Sequence, residues 1–205
     1  MAKKDHYFSK YPDVDLKKHT VSESLRRHLY IFKTVTGVFS FKRLDLGTKV
    51  LIEHMSIPRE PSILLDLGCG YGPIGIVLAY ESPKSIVYLT DINKRAVWCA
   101  KENIKINIPD NKKRVFAKAG NYFEAIKNRD LRFDAIYMNP PLRAGKKSFL
   151  ELCDKVSDYL KEDGYFEFVI RKKMGAQAIY DALEEKARIE VVCKRSGYWV
   201  FDLRF

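Results

Sequence analysis

Ile63-Leu-Leu-Asp66-Leu-Gly68-Cys69-Gly70-Tyr-Gly72 is the stretch on which the reading of the fold turns. A short apolar run ending in a glycine cluster predicts a buried strand that turns directly into a helix, where ligand atoms can approach the backbone without meeting a Cβ. The stretch also contains Gly70-Tyr-Gly72-Pro-Ile-Gly75, a literal G-x-G-x-x-G, and Asp91 follows near the roughly 20-residue spacing of a ribose-binding acid. A dinucleotide and a nucleoside carrying a sulfonium both suit that pattern. Electrostatics separates them, because a pyrophosphate at the helix N-terminus is repelled by an acidic neighbour, whereas a sulfonium with an ammonium group is attracted by Asp66. Pro73 fits the first helical position, where its missing N–H costs no helical bond.

Outward from this loop, short apolar runs alternate with amphipathic stretches, which predicts βα units on a parallel sheet. Strands are expected at Ile63–Asp66, Ile86–Asp91, Arg114–Ala117, Ala135–Met138 and Tyr165–Ile170, with crossover helices beginning near Pro73, Asn93, Tyr122, Lys146 and Gly175. Two further runs, Ile189–Cys193 and Tyr198–Leu203, flank Lys-Arg-Ser-Gly and predict an antiparallel hairpin at one sheet edge. Before Ser62 lie a polar leader, a β-like aromatic patch (Tyr30-Ile-Phe-Lys, then Val38-Phe-Ser-Phe) and a helix over Gly47–Met55. No linker or repeat divides the chain, so residues 1–205 are expected to form one domain, with 1–61 as an extension and 62–205 as the α/β core.

The chemistry is read from Asn139-Pro140-Pro141-Leu142, which follows the strand Phe133-Asp-Ala-Ile-Tyr-Met138 at the carboxyl edge where open α/β sheets place their reactive groups. An amine on an aromatic base is a weak nucleophile, since its lone pair is delocalised. Two acceptors aimed at its N–H bonds, the Asn139 side-chain oxygen and the Pro140 carbonyl, would help it towards tetrahedral geometry. Neither a strong base nor a metal is called for, and the sequence offers no metal-ligand spacing.

Composition sets the class. With 46% hydrophobic and 31% charged residues, the 205-residue chain can build a core and shows no bias towards disorder. Its longest apolar runs fall short of the roughly 18 residues of a spanning helix, and the four separated cysteines, Cys69, Cys99, Cys153 and Cys193, form neither a zinc pattern nor a disulfide framework. A soluble, cytoplasmic protein is expected. A net charge of +11 suits a polyanionic partner.

These pieces together resemble a class I S-adenosylmethionine-dependent methyltransferase, of the small-domain group that includes ribosomal RNA guanine-N2 methyltransferases and their archaeal single-domain relatives. The likeness rests on His6-Tyr-Phe-Ser-Lys-Tyr-Pro12, Gly37–Thr48, Asp66–Gly72, Asp91-Ile92-Asn93, Ala119-Gly-Asn121 and Asn139–Gly145, and it spans nearly the whole chain. The implied fold is a doubly wound, mostly parallel, seven-stranded Rossmann-like sheet, and the implied cofactor is S-adenosyl-L-methionine. By the same resemblance Asp66, Gly68 and Gly70 would line the methionine part, Asp91 the ribose hydroxyls and Asn121 the adenine edge, with Cys69, Gly72 and Ile92 also against the cofactor. Gly37–Thr48 would form a lid bringing Phe39, Lys42 and Thr48 to the cofactor. Two departures stand out: Leu142 replaces an aromatic that stacks the target base in many amine-methylating enzymes, and Asn121 replaces a common acid. Phe39, Phe41 and Tyr122 are the stacking candidates.

Arg143, Lys146 and Lys147 after the catalytic loop, with Arg171, Lys172 and Lys173 after the next strand, are expected to rim the mouth and bind phosphate. The expected partner is RNA, ribosomal in the first instance, methylated at an exocyclic amine with guanine-N2 foremost and adenine-N6 or cytosine-N4 open. Alternatives are glutamine-amide methylation of a protein, or a cofactor-binding RNA assembly factor with incidental catalysis.

Overall fold

Alternation of burial starts earlier than the apolar text suggests. The computed structural model describes Lys10, Pro12 and residues 14–111, 113–142 and 145–205. β1 (Lys18–Leu25) and β2 (His28–Val35) form an antiparallel hairpin apart from the main sheet. β1 buries Val21 and Leu25 while its other side chains face water or lie half-covered, so it reads as polar leader although every residue pairs with β2. The expected strand at Val38-Phe-Ser-Phe is a run of turns instead, because Gly37 and Ser40 take left-handed φ values of 80° and 57° that a ladder cannot absorb.

Arg26 and Arg27 connect these strands with φ of 47° and 68°, the two-residue turn whose twist suits a hairpin. Each non-glycine residue held there costs on the order of 1–2 kcal/mol. Arg26 offsets its share by capping α1 (Leu46–His54): its Nη1 donates to the carbonyls of Ile52 and Met55 at 3.0 and 3.1 Å, where the helix leaves acceptors unpaired.

The core sheet has the order β5-β4-β3-β6-β7-β9-β8, with β3 (Ile63–Leu67), β4 (Ile86–Asp91), β5 (Val115–Ala119), β6 (Phe133–Met138) and β7 (Leu160–Arg171) parallel. The hairpin of β8 (Arg188–Arg195) and β9 (Tyr198–Arg204) adds antiparallel, as expected. α1, α2 (Pro73–Glu81) and α3 (Lys94–Asn107) cover one face together with the N-terminal hairpin, and α4 (Lys146–Ser157) and α5 (Ala176–Glu184) cover the other. The chain therefore has the doubly wound Rossmann-like fold. Asn103 and Asn107, one turn apart on α3, bond the backbone N–H and C=O of Lys33 and Ile31, closing the free edge of β2 as another strand would.

One expected crossover helix is absent. Tyr122–Ala125 is a single 3-10 turn, closed by reciprocal bonds between Asn121 and Glu124. A Cβ at Gly120 would sit 2.6 Å from the Ala125 nitrogen, so this tight return depends on glycine. β7 also begins earlier than Tyr165, its first half hidden in the sequence by Lys-Glu-Asp-Gly.

Candidate active site

The carboxyl ends of β3, β4 and β6 open into a cavity of about 280 Å³, at the point where the chain reverses from building one sheet edge to building the other. Gly68, Cys69 and Gly70 form one wall. Gly68 and Gly70 have φ of 75° and 56°, and a Cβ built on Gly70 would meet nothing within 4 Å, so this backbone faces open space. Gly72 and Gly75 serve packing instead. A Cβ on Gly75 would lie 2.5 Å from Leu89 and one on Gly72 3.0 Å, which is why α2 can press onto β4. Gly72 does not reach the cavity, and the literal G-x-G-x-x-G is half ligand wall and half helix–strand contact.

Asp91 and Ile92 line the cavity. The Asp91 carboxylate fixes the loop, its Oδ2 accepting from Gly70 N and its Oδ1 from Asn93 N, both at 2.8 Å. Burial raises its pKa, while those two backbone bonds pull it back. Each oxygen keeps a lone pair for a ligand hydroxyl. Asp66 stands behind the loop, fully buried and off the cavity wall, where Oδ2 accepts from Gly75 N at 2.8 Å and Oδ1 has no hydrogen-bond partner among the described residues. Its pKa is pushed up to about 7, by burial first and by Asp91 in lesser part. Asn121 and Tyr122 close the far end.

The lid segment contributes Phe39, Ser40 and Leu44. Asn93 ties it down: Nδ2 donates to Gly37 O at 2.6 Å while Oδ1 caps α3 through Arg95 N and Ala96 N. Lys42 lies outside the cavity, exposed, with its backbone carbonyl bonded to His19 Nε2 at 3.1 Å.

Asn139, Pro140 and Pro141 form the remaining wall. Asn139 Nδ2 donates to Asp45 Oδ2 at 2.9 Å and to Thr48 Oγ1 at 2.8 Å. A carboxylate can only accept, so these bonds fix which end of the amide is which and leave Oδ1 as its acceptor end. Asp45 is also the N-cap of α1, accepting from Thr48 N at 3.0 Å. One carboxylate thus starts the helix and orients the amide. Asp45 and Asn93 were not singled out from sequence as site residues, although Asp45-x-x-Thr48 carries the spacing of an N-cap. Thr48, assigned there to the cofactor, lines the cavity and also holds Asn139. The Pro140 carbonyl already accepts from Leu142 N at 3.0 Å, which leaves its second lone pair. Leu142 packs half-buried into the α4–α5 side of the core and does not line the cavity.

Of the expected basic rim, Arg143 lies outside the described residues. Lys146 and Lys147 are exposed on the first turn of α4; Arg171 ends β7, and Lys172 and Lys173 begin the 3-10 turn after it, all exposed at the same sheet edge as Asn139. Among the described residues no cluster of His, Cys, Asp and Glu is suited to a metal, and no helix is long and apolar enough to cross a membrane.

This geometry can be set beside known proteins. The methyltransferase small domain model matches residues 29–202. The chain belongs to that family. As a member it is an S-adenosylmethionine-dependent methyltransferase. It is 36% identical over 201 residues to the uncharacterized protein YbxB of Bacillus subtilis, covering 98% of both chains. It is 31% identical over 169 residues to the ribosomal RNA small subunit methyltransferase C of Aeromonas hydrophila, covering 80% of this chain and 46% of that one. The chain thus spans about half the length of that relative. Among solved structures, the T. thermophilus 16S rRNA N2 methyltransferase, in complex with AdoMet and guanosine, superposes with a TM-score of 0.74 at 22% identity, over 93% of this chain and 51% of that one. The cavity suits S-adenosylmethionine in this family member: open glycine backbone, an acid with free lone pairs at the end of β4, and an apolar lid.

Proposed function

We propose that this methyltransferase modifies an exocyclic base amine of RNA, with guanine N2 the foremost target. The observation that carries the reading is the Asn139 amide, whose donor end is held by Asp45 and Thr48 so that its acceptor end is left for an amine. Oδ1 and the free lone pair of the Pro140 carbonyl would take the two N–H bonds of the target, drawing the nitrogen lone pair out of conjugation and towards the methyl carbon. The cofactor supplies a methyl group on a positively charged sulfur, which leaves as a neutral thioether, and the cationic N-methylated amine then releases one N–H proton to solvent. Gly68, Cys69 and Gly70 would hold its methionine part, with the buried Asp66 carboxylate behind them. Asp91 would take the ribose hydroxyls, and Ile92 and Asn121 the adenine. Phe39 and the lid would exclude water from the reacting pair.

RNA is favoured by the net charge of +11, by the exposed basic residues along the edge that carries Asn139, and by relatives named as ribosomal RNA methyltransferases. A relative from Aquifex aeolicus, 34% identical over 183 residues, is named a release factor glutamine methyltransferase, which keeps amide methylation as the second reading. The basic edge speaks against it, because one glutamine side chain has no use for a row of phosphate-binding cations.

The test is methyl transfer from labelled cofactor to RNA of a deletion strain, with the modified nucleoside identified by mass spectrometry. Asn139→Ala should lower the single-turnover rate on that RNA by on the order of 10²–10³ while leaving cofactor affinity within about threefold. A near-normal rate refutes the amine mechanism, and label on a protein glutamine instead establishes the second reading.

A further inference from the structure

The hairpin of β8 and β9 brings a tyrosine flanked by two arginines against the start of α1, beside two residues that line the cavity, Asp45 and Thr48. Tyr198 opens β9 and pairs with Arg171 at the end of β7 on one side and with Arg195 at the end of β8 on the other. Residues directly opposite across antiparallel strands share a face, with Cβ atoms roughly 5 Å apart. The face is the α1 side, since Val169 and Val200, in step with Arg171 and Tyr198, lie in the core cluster beneath α1, and Tyr198 itself packs against that cluster. The next pair points the other way, with Lys194 Nζ 3.8 Å from the centre of the Trp199 ring. An irregularity between Val191 and Cys193 makes this possible by re-phasing the last turn of β8.

Tyr198 is also beside the catalytic residues. A Cβ on Gly47 would lie 2.7 Å from its Cε1, so the ring rests on bare backbone between Asp45 and Thr48, the two residues that hold Asn139. Burial, and then the nearby Asp45 carboxylate, raise the Tyr198 hydroxyl pKa, while Arg171 lowers it. The side chains of Arg171 and Arg195 are exposed and make no ion pair or hydrogen bond among the described residues. The patch is held firmly. Lys172 N donates to Gly197 O at 2.8 Å, joining the loop after β7 to the turn of the hairpin, and Ser196 and Gly197, with φ of 52° and 78°, form a tight two-residue turn.

We infer that Arg171, Tyr198 and Arg195 form a subsite for an unpaired nucleotide adjoining the target, with the tyrosine ring stacking its base and the guanidiniums its flanking phosphates. This rests on the reading of RNA as substrate. A half-buried aromatic between two free cations matches single-stranded nucleic acid, in which bases are splayed and phosphates recur on either side. A protein substrate with one target side chain, or a regular duplex with its bases stacked inside, would leave the ring without a role. The subsite also offers an aromatic surface that Leu142, turned into the core, cannot provide.

The test uses the full chain with a fluorescent single-stranded RNA of mixed sequence, a matching RNA duplex, and calorimetry with S-adenosylhomocysteine. Tyr198→Leu should weaken single-strand binding by roughly five- to hundredfold, the loss expected for one stacked base, and leave duplex binding within about twofold. Tyr198→Phe should retain parental affinity. Arg195→Ala, at an exposed site where folding is not at risk, should weaken binding and lower the salt dependence by about one phosphate contact. Lys84→Ala, which removes the same charge at the opposite sheet edge, should do neither. S-adenosylhomocysteine affinity should be unchanged in every variant. If the parent binds and methylates RNA but Tyr198→Leu and Arg195→Ala bind it normally, the subsite is wrong while the proposed function stands. Equal losses in Arg195→Ala and Lys84→Ala also overturn it, since net charge alone would then explain the effect. A parent that binds no RNA overturns both.

Discussion

Asp45→Ala separates the two tasks that one carboxylate performs. The substitution removes the N-cap of α1, a loss of about 1 kcal/mol, and a charge-assisted bond from the half-buried Asn139 amide, a further 1.5–3 kcal/mol or so. A total of about 2–4 kcal/mol should lower the melting temperature by on the order of 10 °C for a chain of this size. The catalytic effect should be smaller than that of deleting the amide, because Thr48 Oγ1 still holds Nδ2 at 2.8 Å; about tenfold in single-turnover rate is expected against the 10²–10³ for Asn139→Ala. Asp45→Asn keeps a good cap and a neutral acceptor for the amide, so it should recover most of the melting temperature lost in Asp45→Ala while losing the charge that fixes the amide. The decisive assay is a double-mutant cycle read by both melting and methyl transfer. In an Asn139→Ala background, Asp45→Ala should still cost its cap in stability and nothing more in rate. If the two rate losses multiply, Asp45 acts on the reaction by a route other than Asn139, and the orientation argument fails.

Two further substitutions test the scaffold. Glu167 is buried between the sheet and the loop after α1, where both its oxygens accept from Ser56 N, and burial pushes its pKa up to about 8. The folded protein therefore holds a proton that the unfolded chain releases near 4.5; the resulting stability is full at acid pH and is lost as pH rises through about 8. Glu167→Gln should flatten the fall of melting temperature between these limits, and parallel curves for variant and parent would contradict the assignment. Arg27→Gly should stabilise the hairpin by roughly 0.5–1 kcal/mol in denaturant titrations, because glycine relieves the strain of a φ of 68° at some entropic expense. Arg26→Gly relieves the same strain but loses the cap on α1 and should destabilise; a gain there would mean that its bonds to Ile52 and Met55 are worth little.

The main sheet was legible because parallel strands buried on both faces appear as nearly continuous apolar runs, and Ile63–Leu67 ending in Gly68 marks strand, turn and cavity wall at once. Asn139-Pro140-Pro141 was legible for a similar reason, since rigid polar residues directly after such a strand are local in sequence and in space. β1 was not, because only Val21 and Leu25 of its eight residues are buried, too few apolar positions to stand out from a polar leader. Nor was the missing crossover helix at Tyr122, which is lost to a tight return that Gly120 and the Asn121–Glu124 bonds impose. By itself, then, the sequence determined the alternating α/β order, the glycine loop and the identity of the reactive tripeptide, since each depends on neighbours within a few residues. Tertiary structure alone decided which end of the Asn139 amide is free, through an acid 94 residues away, and which residues meet Tyr198 across strands. Hydrogen-bond direction and strand register are relations between distant segments, and no local pattern encodes them.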